Sequence, residues 1–278
     1  MLKLLKFLMG IMLILASILA YSIFIEPNLL TAKHYSLQFD KIQGDSVRIV
    51  QFTDTHLGEF FNIEQLEKVV AKINDQKPDL VFFTGDLLDE ADTYEGELED
   101  ISLALAQIEA DHGKFAIYGN RDYGGGAEWI YERVMEDSGF TVLVNEQVKL
   151  TIHDTIFTIM GADDALLGYY DPIETVAGIS EADFNILLVH EPDLIEDFFN
   201  YPIDIALSGH SHGGQVYIPF WGPLFVTALG EEYIRGFYTP DPELDLLLYV
   251  NTGLGNTKFP FRLFNIPNVT VFDLYSEV

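Results

Sequence analysis

The chain has 278 residues, 49% of them hydrophobic, and carries 44 acidic against 15 basic residues, a formal net charge of −29 at pH 7. This length allows one substantial core, and so acidic a surface argues against a nucleic-acid partner because it repels the phosphate backbone. Cysteine is absent, which excludes disulfides and thiolate ligands. Any bound metal must therefore be held by imidazole, carboxylate and amide groups.

An apolar run without charged residues occupies positions 7–25 and follows Lys3 and Lys6. Its length is close to the ~20 residues that a helix needs to cross a hydrocarbon core. We predict an uncleaved membrane anchor at 1–26, with the N-terminus in the cytoplasm and the remaining chain on the outer side, because positive flanks stay inside. A cleaved signal peptide and a buried core helix are the alternatives. Ile18 occupies a position where a signal peptide favours a small residue.

Residues 27–46 are predicted to be a linker with an edge strand, and 47–278 a single domain in which apolar runs alternate with helical patterns. The first part alternates strands at 47–52, 80–83 and 115–118 with helices at 64–74, 97–110 and 127–137. A hairpin is predicted at 148–153 and 155–160, followed by strands at 185–189 and 203–207 with a helix after Pro192 between them. The end of the chain is predicted to form strands at 215–218, 246–250 and 268–274. This order predicts a four-layer α/β/β/α sandwich, two mixed β-sheets flanked by helices.

Acidic, amide and imidazole side chains directly follow five of these strands. They are Asp54, His56, Asp86, Asn120, His190, His210 and His212. Ligands bind outside the carboxyl ends of strands in α/β sheets, so we expect these loops to meet at one site. Such a mixture of oxygen and imidazole donors suits Mn, Fe, Zn or Co. Seven donors exceed the need of one ion, which predicts a two-metal centre with Asp86 as the bridge.

As an ordered set, these motifs resemble the calcineurin-like metallophosphoesterase superfamily. The motifs are Asp-x-His at 54–56, Gly-Asp-x-x-Asp at 85–89, Gly-Asn-x-Asp at 119–122, a lone histidine at 190 and Gly-His-x-His at 209–212. The N-terminal segment ending in Glu-Pro, Gly-Leu-Gly at 253–255 and Phe-Arg at 261–262 resemble its YkuE- and YaeI-like branch of membrane-associated bacterial phosphodiesterases.

The resemblance implies a phosphodiesterase with two divalent ions and a hydroxide between them that attacks phosphorus. One ion would be held by Asp54, His56, Asp86 and His212, and the other by Asp86, Asn120, His190 and His210. The implied substrate is a phosphoester. Asp89 and Asp122 are expected to orient loops or ligands rather than to bind metal.

Position 121 departs from the family pattern, because most members have histidine where this chain has Arg121. Arginine cannot donate a proton near neutral pH, but its guanidinium can bind two phosphoryl oxygens, so we predict catalytic roles for Asn120 and Arg121. Gly-Asn-Arg-Asp also resembles the UDP-2,3-diacylglucosamine hydrolases. That resemblance implies, as an alternative, pyrophosphate hydrolysis on a lipid-linked or nucleotide-linked substrate. A non-catalytic metal- or phosphate-binding surface protein is the alternative from another class.

Aromatic side chains cluster directly after the last of these motifs. They are Tyr217, Phe220, Trp221 and Phe225. The sequence allows two interpretations of this cluster, as the lining of an apolar substrate groove or as packing between the two sheets.

Overall fold

The strands of the chain follow its apolar runs. The computed structural model describes residues 1–277, so Val278, the last residue of the predicted domain, lies outside the described part. In chain order, the strands are β1 (Thr31–Gln38), β2 (Val47–Phe52), β3 (Leu80–Phe83), β4 (Gly113–Ala116), β5 (Thr141–Val142), β6 (Glu146–Ile152), β7 (Thr155–Gly161), β8 (Phe184–Leu188), β9 (Ile205–Ser208), β10 (Tyr217–Ile218), β11 (Gly222–Pro223), β12 (Gly236–Tyr238), β13 (Leu247–Val250) and β14 (Asn268–Tyr275).

The longer α-helices of the domain follow amphipathic segments, whereas the first helix of the chain is mostly apolar, with Lys3 and Lys6 as its only charged residues. The α-helices are α1 (Leu2–Phe24), α2 (Ile63–Asn74), α3 (Leu98–Ala106), α4 (Asn120–Tyr123), α5 (Tyr131–Asp137) and α6 (Pro172–Thr175). Helix α2 shows why such segments fold. It begins with a capping box between Asn62 and Gln65 and buries Leu66, Val69 and Ile73 on one face, which satisfies its first amides and fixes the face that packs on the sheet.

The first sheet has the strand order β1-β14-β2-β3-β4-β5. Strands β2 to β5 are parallel, as the alternation of strands and helices predicts, and β14 is antiparallel to β2. The predicted edge strand β1 lies at the border and pairs in parallel with β14. Parallel pairing brings the carboxyl ends of β2, β3 and β4 to one edge.

The second sheet has the order β12-β13-β9-β8-β7-β6, with β7, β8, β9 and β13 parallel. The predicted hairpin is β6 and β7, which pair antiparallel. Large apolar side chains of both sheets, including Phe82, Phe157, Phe184 and Phe272, form one fully buried cluster between them. Helices α2, α3 and α5 cover the outer face of the first sheet. These layers confirm the predicted sandwich.

Several local predictions differ from the structure. The segment after Pro192 is a 3-10 helix (Pro192–Phe198) rather than an α-helix, so the outer layer on the second sheet is thin. The helix predicted from residue 127 begins only at Tyr131, because residues 127–130 form a turn in which Ala127 and Ile130 bond to carbonyls three residues back. Strand β10 pairs with β11 in a separate two-stranded hairpin. Strands β5, β11 and β12 were not predicted because they are too short to show a pattern.

Helix α1 and the 3-10 turn after it form one apolar segment, Leu2–Asn28, with the length and composition of a membrane span. A signal sequence satisfies the same criteria. The end of this segment is attached to the domain: the Arg262 N–H donates to the Ser22 carbonyl at 2.9 Å, and the Glu26 carboxylate, which is buried, accepts a hydrogen bond from the Asn265 N–H.

Candidate metal centre

The loops that carry the predicted donors meet at one end of the sandwich, and they come from both sheets. Asp54 and His56 follow β2, Asp86 follows β3 and Asn120 follows β4, all in the first sheet. His190 follows β8, and His210 and His212 follow β9, in the second sheet. Six of these seven side chains are buried, and Asn120 is half-buried. The site therefore exists only where the two sheets pack together.

The first group of donors consists of Asp54, His56 and His212, whose ligand atoms lie within 4.8 Å of one another. His56 Nε2 and His212 Nε2 are 2.9 Å apart, and His212 Nε2 is 3.4 Å from Asp54 Oδ1. The backbone N–H of His210 donates to both Asp54 oxygens at 3.1 Å. That pair of contacts fixes the loop after β9 against the loop after β2.

The second group consists of Asp86, His190 and His210, again with ligand atoms within 4.8 Å. His190 Nε2 lies 3.4 Å from Asp86 Oδ2. The same Asp86 oxygen lies 3.4 Å from His56 Nε2 of the first group. The Asp86 carboxylate thus stands between the two groups, the position that a bridging ligand requires.

Five donor residues adopt a backbone conformation that is rare for residues with a side chain. Their φ angles are 51° at Asp54, 44° at His56, 62° at Asp86, 64° at His210 and 50° at His212. The left-handed conformation costs free energy for any residue other than glycine. Such residues are concentrated at functional sites, where the surrounding packing maintains the strained conformation. Strands β2, β3 and β9 are followed by these left-handed turns, which direct the donor side chains into the shared space.

Contacts on the outer side of the imidazoles define which ring nitrogen faces inward. His190 Nδ1 lies 2.6 Å from the Thr84 carbonyl, and His210 Nε2 lies 2.8 Å from the Ala228 carbonyl. Each of these nitrogens must donate to its carbonyl, so the other nitrogen of the neutral ring presents a lone pair. His56 Nδ1 lies 3.3 Å from Asp89 Oδ1, within ion-pair distance of that carboxylate. Such outer partners orient metal-binding imidazoles.

Asp122 joins two of the donor loops, as the sequence predicted for an orienting group. Its carboxylate accepts backbone hydrogen bonds from Asp86, Leu87 and Gly119 at 2.7 to 2.9 Å. Burial and the adjacent Asp86 charge raise the pKa of Asp122 to about 8. Gly119 is required here, since a Cβ at that position would lie 2.4 Å from Asp86 Oδ1.

Charges at the centre are strongly coupled. Burial alone would raise the pKa of Asp54, but the nearby His212 and His56 lower it to about 2. Burial opposes protonation of His56, yet hydrogen bonds to Asp54 and Asp89 raise its pKa to about 9. Burial lowers the pKa of His212 to about 3. The first group therefore presents an ionised carboxylate beside a neutral imidazole at neutral pH.

Divalent cations fit both groups on physical grounds. His190 Nε2 is buried and has no hydrogen-bond partner, although it faces the Asp86 carboxylate. His56 Nε2 and His212 Nε2 lie only 2.9 Å apart, so a proton or a cation is needed between them. A buried lone pair or carboxylate without a compensating positive charge is costly. A cation at each group would remove that cost, and the mixed nitrogen and oxygen donors suit Mn, Fe, Zn or Co.

Asn120 and Arg121 begin helix α4 beside Asp86, whose Oδ1 accepts the Arg121 backbone N–H at 2.7 Å. The Arg121 guanidinium lies 3.4 Å from the Asp89 carbonyl and 3.6 Å from the Glu90 carboxylate. It is thus held at the rim of the first group, next to the Asp89 that contacts His56.

Two supporting residues were not predicted as part of the site. Arg262 is completely buried and donates to the carbonyl groups of Thr252 and Gly255 and to the Asn256 side chain. The Asn265 side chain donates to the His212 carbonyl. Arg262 was visible in the sequence only as part of the Phe-Arg pair at 261–262, and that pair does not indicate which residues it contacts.

The aromatic cluster does not pack between the sheets. The β10–β11 hairpin lies outside both sheets, and at its tip Phe220 and Trp221 are 109% and 83% exposed. The hairpin follows the loop that carries His212 in the chain, and its aromatic tip is an exposed apolar surface. The interpretation as sheet packing was wrong, because the strand predicted at 215–218 joins neither sheet.

Comparison with known proteins gives consistent matches. The profile of the family described as Calcineurin-like phosphoesterase matches residues 47–214. The uncharacterized metallophosphoesterase YkuE of Bacillus subtilis (strain 168) is 39% identical over 92% of this chain and 89% of its own length. The UDP-2,3-diacylglucosamine pyrophosphatase LpxG of Chlamydia trachomatis is 29% identical over 84% of this chain and 86% of its own length.

Among solved structures, the NAD nucleotidase NadN of Haemophilus influenzae superposes with a TM-score of 0.50 at 14% identity. The match covers 75% of this chain and 51% of that one. At such low identity the likeness shows the fold alone.

Proposed function

This chain belongs to the calcineurin-like phosphoesterase family and is therefore a hydrolytic enzyme, and from the geometry of its centre we propose that it hydrolyses phosphodiesters with two divalent metal ions. Asp54, His56 and His212 would hold one ion and Asp86, His190 and His210 the other. Asp86 would be shared, and Asn120 would complete the second set. Family membership argues against the non-catalytic binding protein that the sequence also allowed.

The observation that carries this proposal is the position of Asp86 Oδ2, 3.4 Å from both His56 Nε2 and His190 Nε2. When bound, two such ions neutralise charge on the phosphoryl oxygens and activate a water molecule as the nucleophile. In the first group, Asp54 is ionised and His212 is neutral at neutral pH, because their pKa values are about 2 and about 3. The raised pKa of His56 means that a bound ion would have to displace its proton.

Arg121 supplies the remaining positive charge at the rim. Its guanidinium is three-quarters buried and is held by Asp89, Glu90 and Thr257, from where it would bind phosphoryl oxygens of the substrate. It cannot protonate a leaving group, because arginine stays charged near neutral pH. The reaction should therefore favour substrates whose leaving group is stable as an anion.

Turnover of bis(p-nitrophenyl) phosphate by the Mn-loaded full chain in detergent tests the proposal. We expect Asp86→Asn to abolish turnover and to lower the bound metal measured by mass spectrometry, because both ions lose a shared ligand. Asp75→Asn is the matched control, since Asp75 is exposed at the end of α2. Unchanged turnover in Asp86→Asn would overturn the two-metal assignment.

Pyrophosphate hydrolysis on a lipid-linked or nucleotide-linked substrate is the second candidate. Two observations favour it: Arg121 occupies the usual histidine position, and Phe220 and Trp221 form an exposed apolar surface at the tip of the β10–β11 hairpin. The similarity to a UDP-2,3-diacylglucosamine pyrophosphatase supports it further. The same enzyme should then cleave UDP-2,3-diacylglucosamine with a higher kcat/KM than bis(p-nitrophenyl) phosphate. The reverse order would exclude this candidate.

We place the enzyme at the cell membrane, with residues 1–26 as a retained anchor and the catalytic domain on the outer side. Support comes from the apolar segment Leu2–Asn28 and from the two lysines that precede its core. Ser22 and Glu26 also connect the end of this segment to the domain. Protease treatment of intact spheroplasts should digest the domain. Protection equal to that of a cytoplasmic marker would reverse the topology.

A further inference from the structure

A pocket of about 470 Å³ lies where the last turn of α1 meets the domain. Tyr21 and Glu26 contribute from the helix end, Lys33 from β1, Arg235 from the segment before β12, and Phe264 from the loop before β14. Asn265 links this pocket to the metal centre, because it lines the pocket and its side chain donates to the His212 carbonyl. None of its side chains is a proposed metal ligand.

Two cations face this pocket in a chain whose net charge is −29. The ion pairs of lysine and arginine within residues 1–277 involve Lys41, Arg48, Arg121 and Lys149; Lys33 and Arg235 belong to none of them. Burial, then the charges of Arg235 and Arg262, lower the pKa of Lys33, which is the response of a cation that lacks a counter-ion.

Only one carboxylate lines the described pocket, that of Glu26, and it already accepts the Asn265 N–H. The Arg235 guanidinium donates to the Phe264 carbonyl at 3.1 Å and lies 3.3 Å above the Tyr217 ring. Both contacts orient it without neutralising its charge. An added anion would therefore complete this pocket electrostatically.

An apolar groove of about 490 Å³ continues from the pocket along α1. Tyr21 and Phe264 line both cavities. Within the groove, Ile14, Ile18 and Tyr21 recur at helical spacing on one face of α1 and lie beside Leu263. From Ile14 to Tyr21 the helix rises about 10 Å, so this groove extends into the depth that the proposed span would place in hydrocarbon.

We propose that the pocket and groove together bind one anionic phospholipid, its phosphate between Lys33 and Arg235 and an acyl chain along α1 beside Leu263 and Phe264. The groove distinguishes this ligand from a soluble anion, since phosphate alone has no use for an apolar wall. Tyrosine at the junction fits the membrane interface, where aromatic rings with a polar end are enriched. The inference rests on the membrane span and is independent of the catalytic proposal.

Such a lipid would fix the catalytic domain relative to the bilayer. The last turn of α1, the pocket and the loop of Arg262 and Asn265 are joined by hydrogen bonds to Ser22 and Glu26. A lipid held in this junction would stop the domain from pivoting about the helix end.

Lipid titration of the Mn-loaded full chain in detergent tests the proposal, with adducts counted by native mass spectrometry. The probes are phosphatidylglycerol, phosphatidylcholine and inorganic phosphate. We expect phosphatidylglycerol to bind best, and Lys33→Gln with Arg235→Gln to weaken it at least about tenfold, because two charge-assisted contacts are lost. Lys72→Gln with Arg133→Gln removes the same charge away from the pocket and should bind as the wild type does.

Turnover of bis(p-nitrophenyl) phosphate within about twofold of wild type shows that a variant is folded. Lipid adducts are still counted by mass spectrometry if neither the wild type nor any variant turns over this substrate. Equal binding of the two lipids, or undiminished phosphatidylglycerol binding in the glutamine pair, would overturn the proposal. So would inorganic phosphate that binds as tightly as the lipid and is lost in the same pair. If that pair does not fold, Arg235→Gln alone decides: unchanged phosphatidylglycerol affinity in it rejects the site.

Discussion

The metal centre and the apolar layer between the two sheets are both buried, but the residues that form them are of opposite kinds. Between the sheets, Phe157 and Phe184 pack edge to face with ring centroids 5.4 Å apart, in regular extended backbone. At the metal centre, Asp54, Asp86 and three imidazoles are buried on strained, left-handed residues. One region gains stability from apolar contact, and the other holds charges that are costly without a cation.

This difference indicates that the middle of a strand contributes to the core, whereas the residues after its end contribute to the site. The middle of β8 places Ile186 in the inter-sheet cluster, and two residues beyond its end the chain presents His190. Strain at an active site persists only where surrounding structure over-determines it. The apolar layer supplies that constraint, so mutations in the two regions should affect different observables.

The largest effect on activity should come from Asp54→Asn, which removes a charge from the first group while preserving shape. We expect kcat/KM to fall about 1000-fold, since a lost metal ligand removes several kcal/mol of transition-state stabilisation. The free energy of unfolding should change less than in an inter-sheet cavity variant. Steady-state kinetics and urea unfolding in detergent measure both. If Asp54→Asn lowered the free energy of unfolding as much as an inter-sheet cavity variant does, the contrast between the two regions would not hold.

Phe184→Ala probes the opposite region. Its ring is fully buried and also contacts Phe39 at 4.8 Å, so truncation should lower the free energy of unfolding by about 3–5 kcal/mol. The kcat/KM of the folded fraction should stay within about twofold of wild type. Phe184→Leu, which leaves a smaller void, is the matched control and should cost less. Activity lost in parallel with stability would show that the metal centre depends on inter-sheet packing at this position.

A smaller effect is expected for a residue that contacts a proposed ligand without being a ligand itself. Asp89 is not a proposed ligand, but its Oδ1 lies 3.3 Å from His56 Nδ1. Asp89→Asn should reduce metal affinity or activity about 10- to 100-fold, the usual consequence of losing an orienting carboxylate. Asp75→Asn makes the same substitution at an exposed residue outside the site and should change activity little. Equal effects of the two variants would contradict the orienting role of Asp89.

Much of the fold was predictable because its strands are local patterns. The runs at 47–52 and 80–83 became β2 and β3 with unchanged bounds, since four to six buried residues bounded by polar ones have few alternatives. Elements of two or three residues, such as β5 and β12, carry too little pattern to be recognised. The hairpin β10–β11 was misplaced because its apolar residues face solvent rather than a sheet.

The sequence by itself determined which residues offer donors and in what order, because each donor follows the strand that positions it. Tertiary structure alone decided that the donor loops come from two separate sheets, which carbonyl groups hold the imidazoles of His190 and His210, and that Lys33 and Arg235 face one pocket. The physical reason is range. Hydrophobic periodicity and turn residues act over a few positions, whereas the pairing and packing of sheets depend on contacts between residues far apart in the chain.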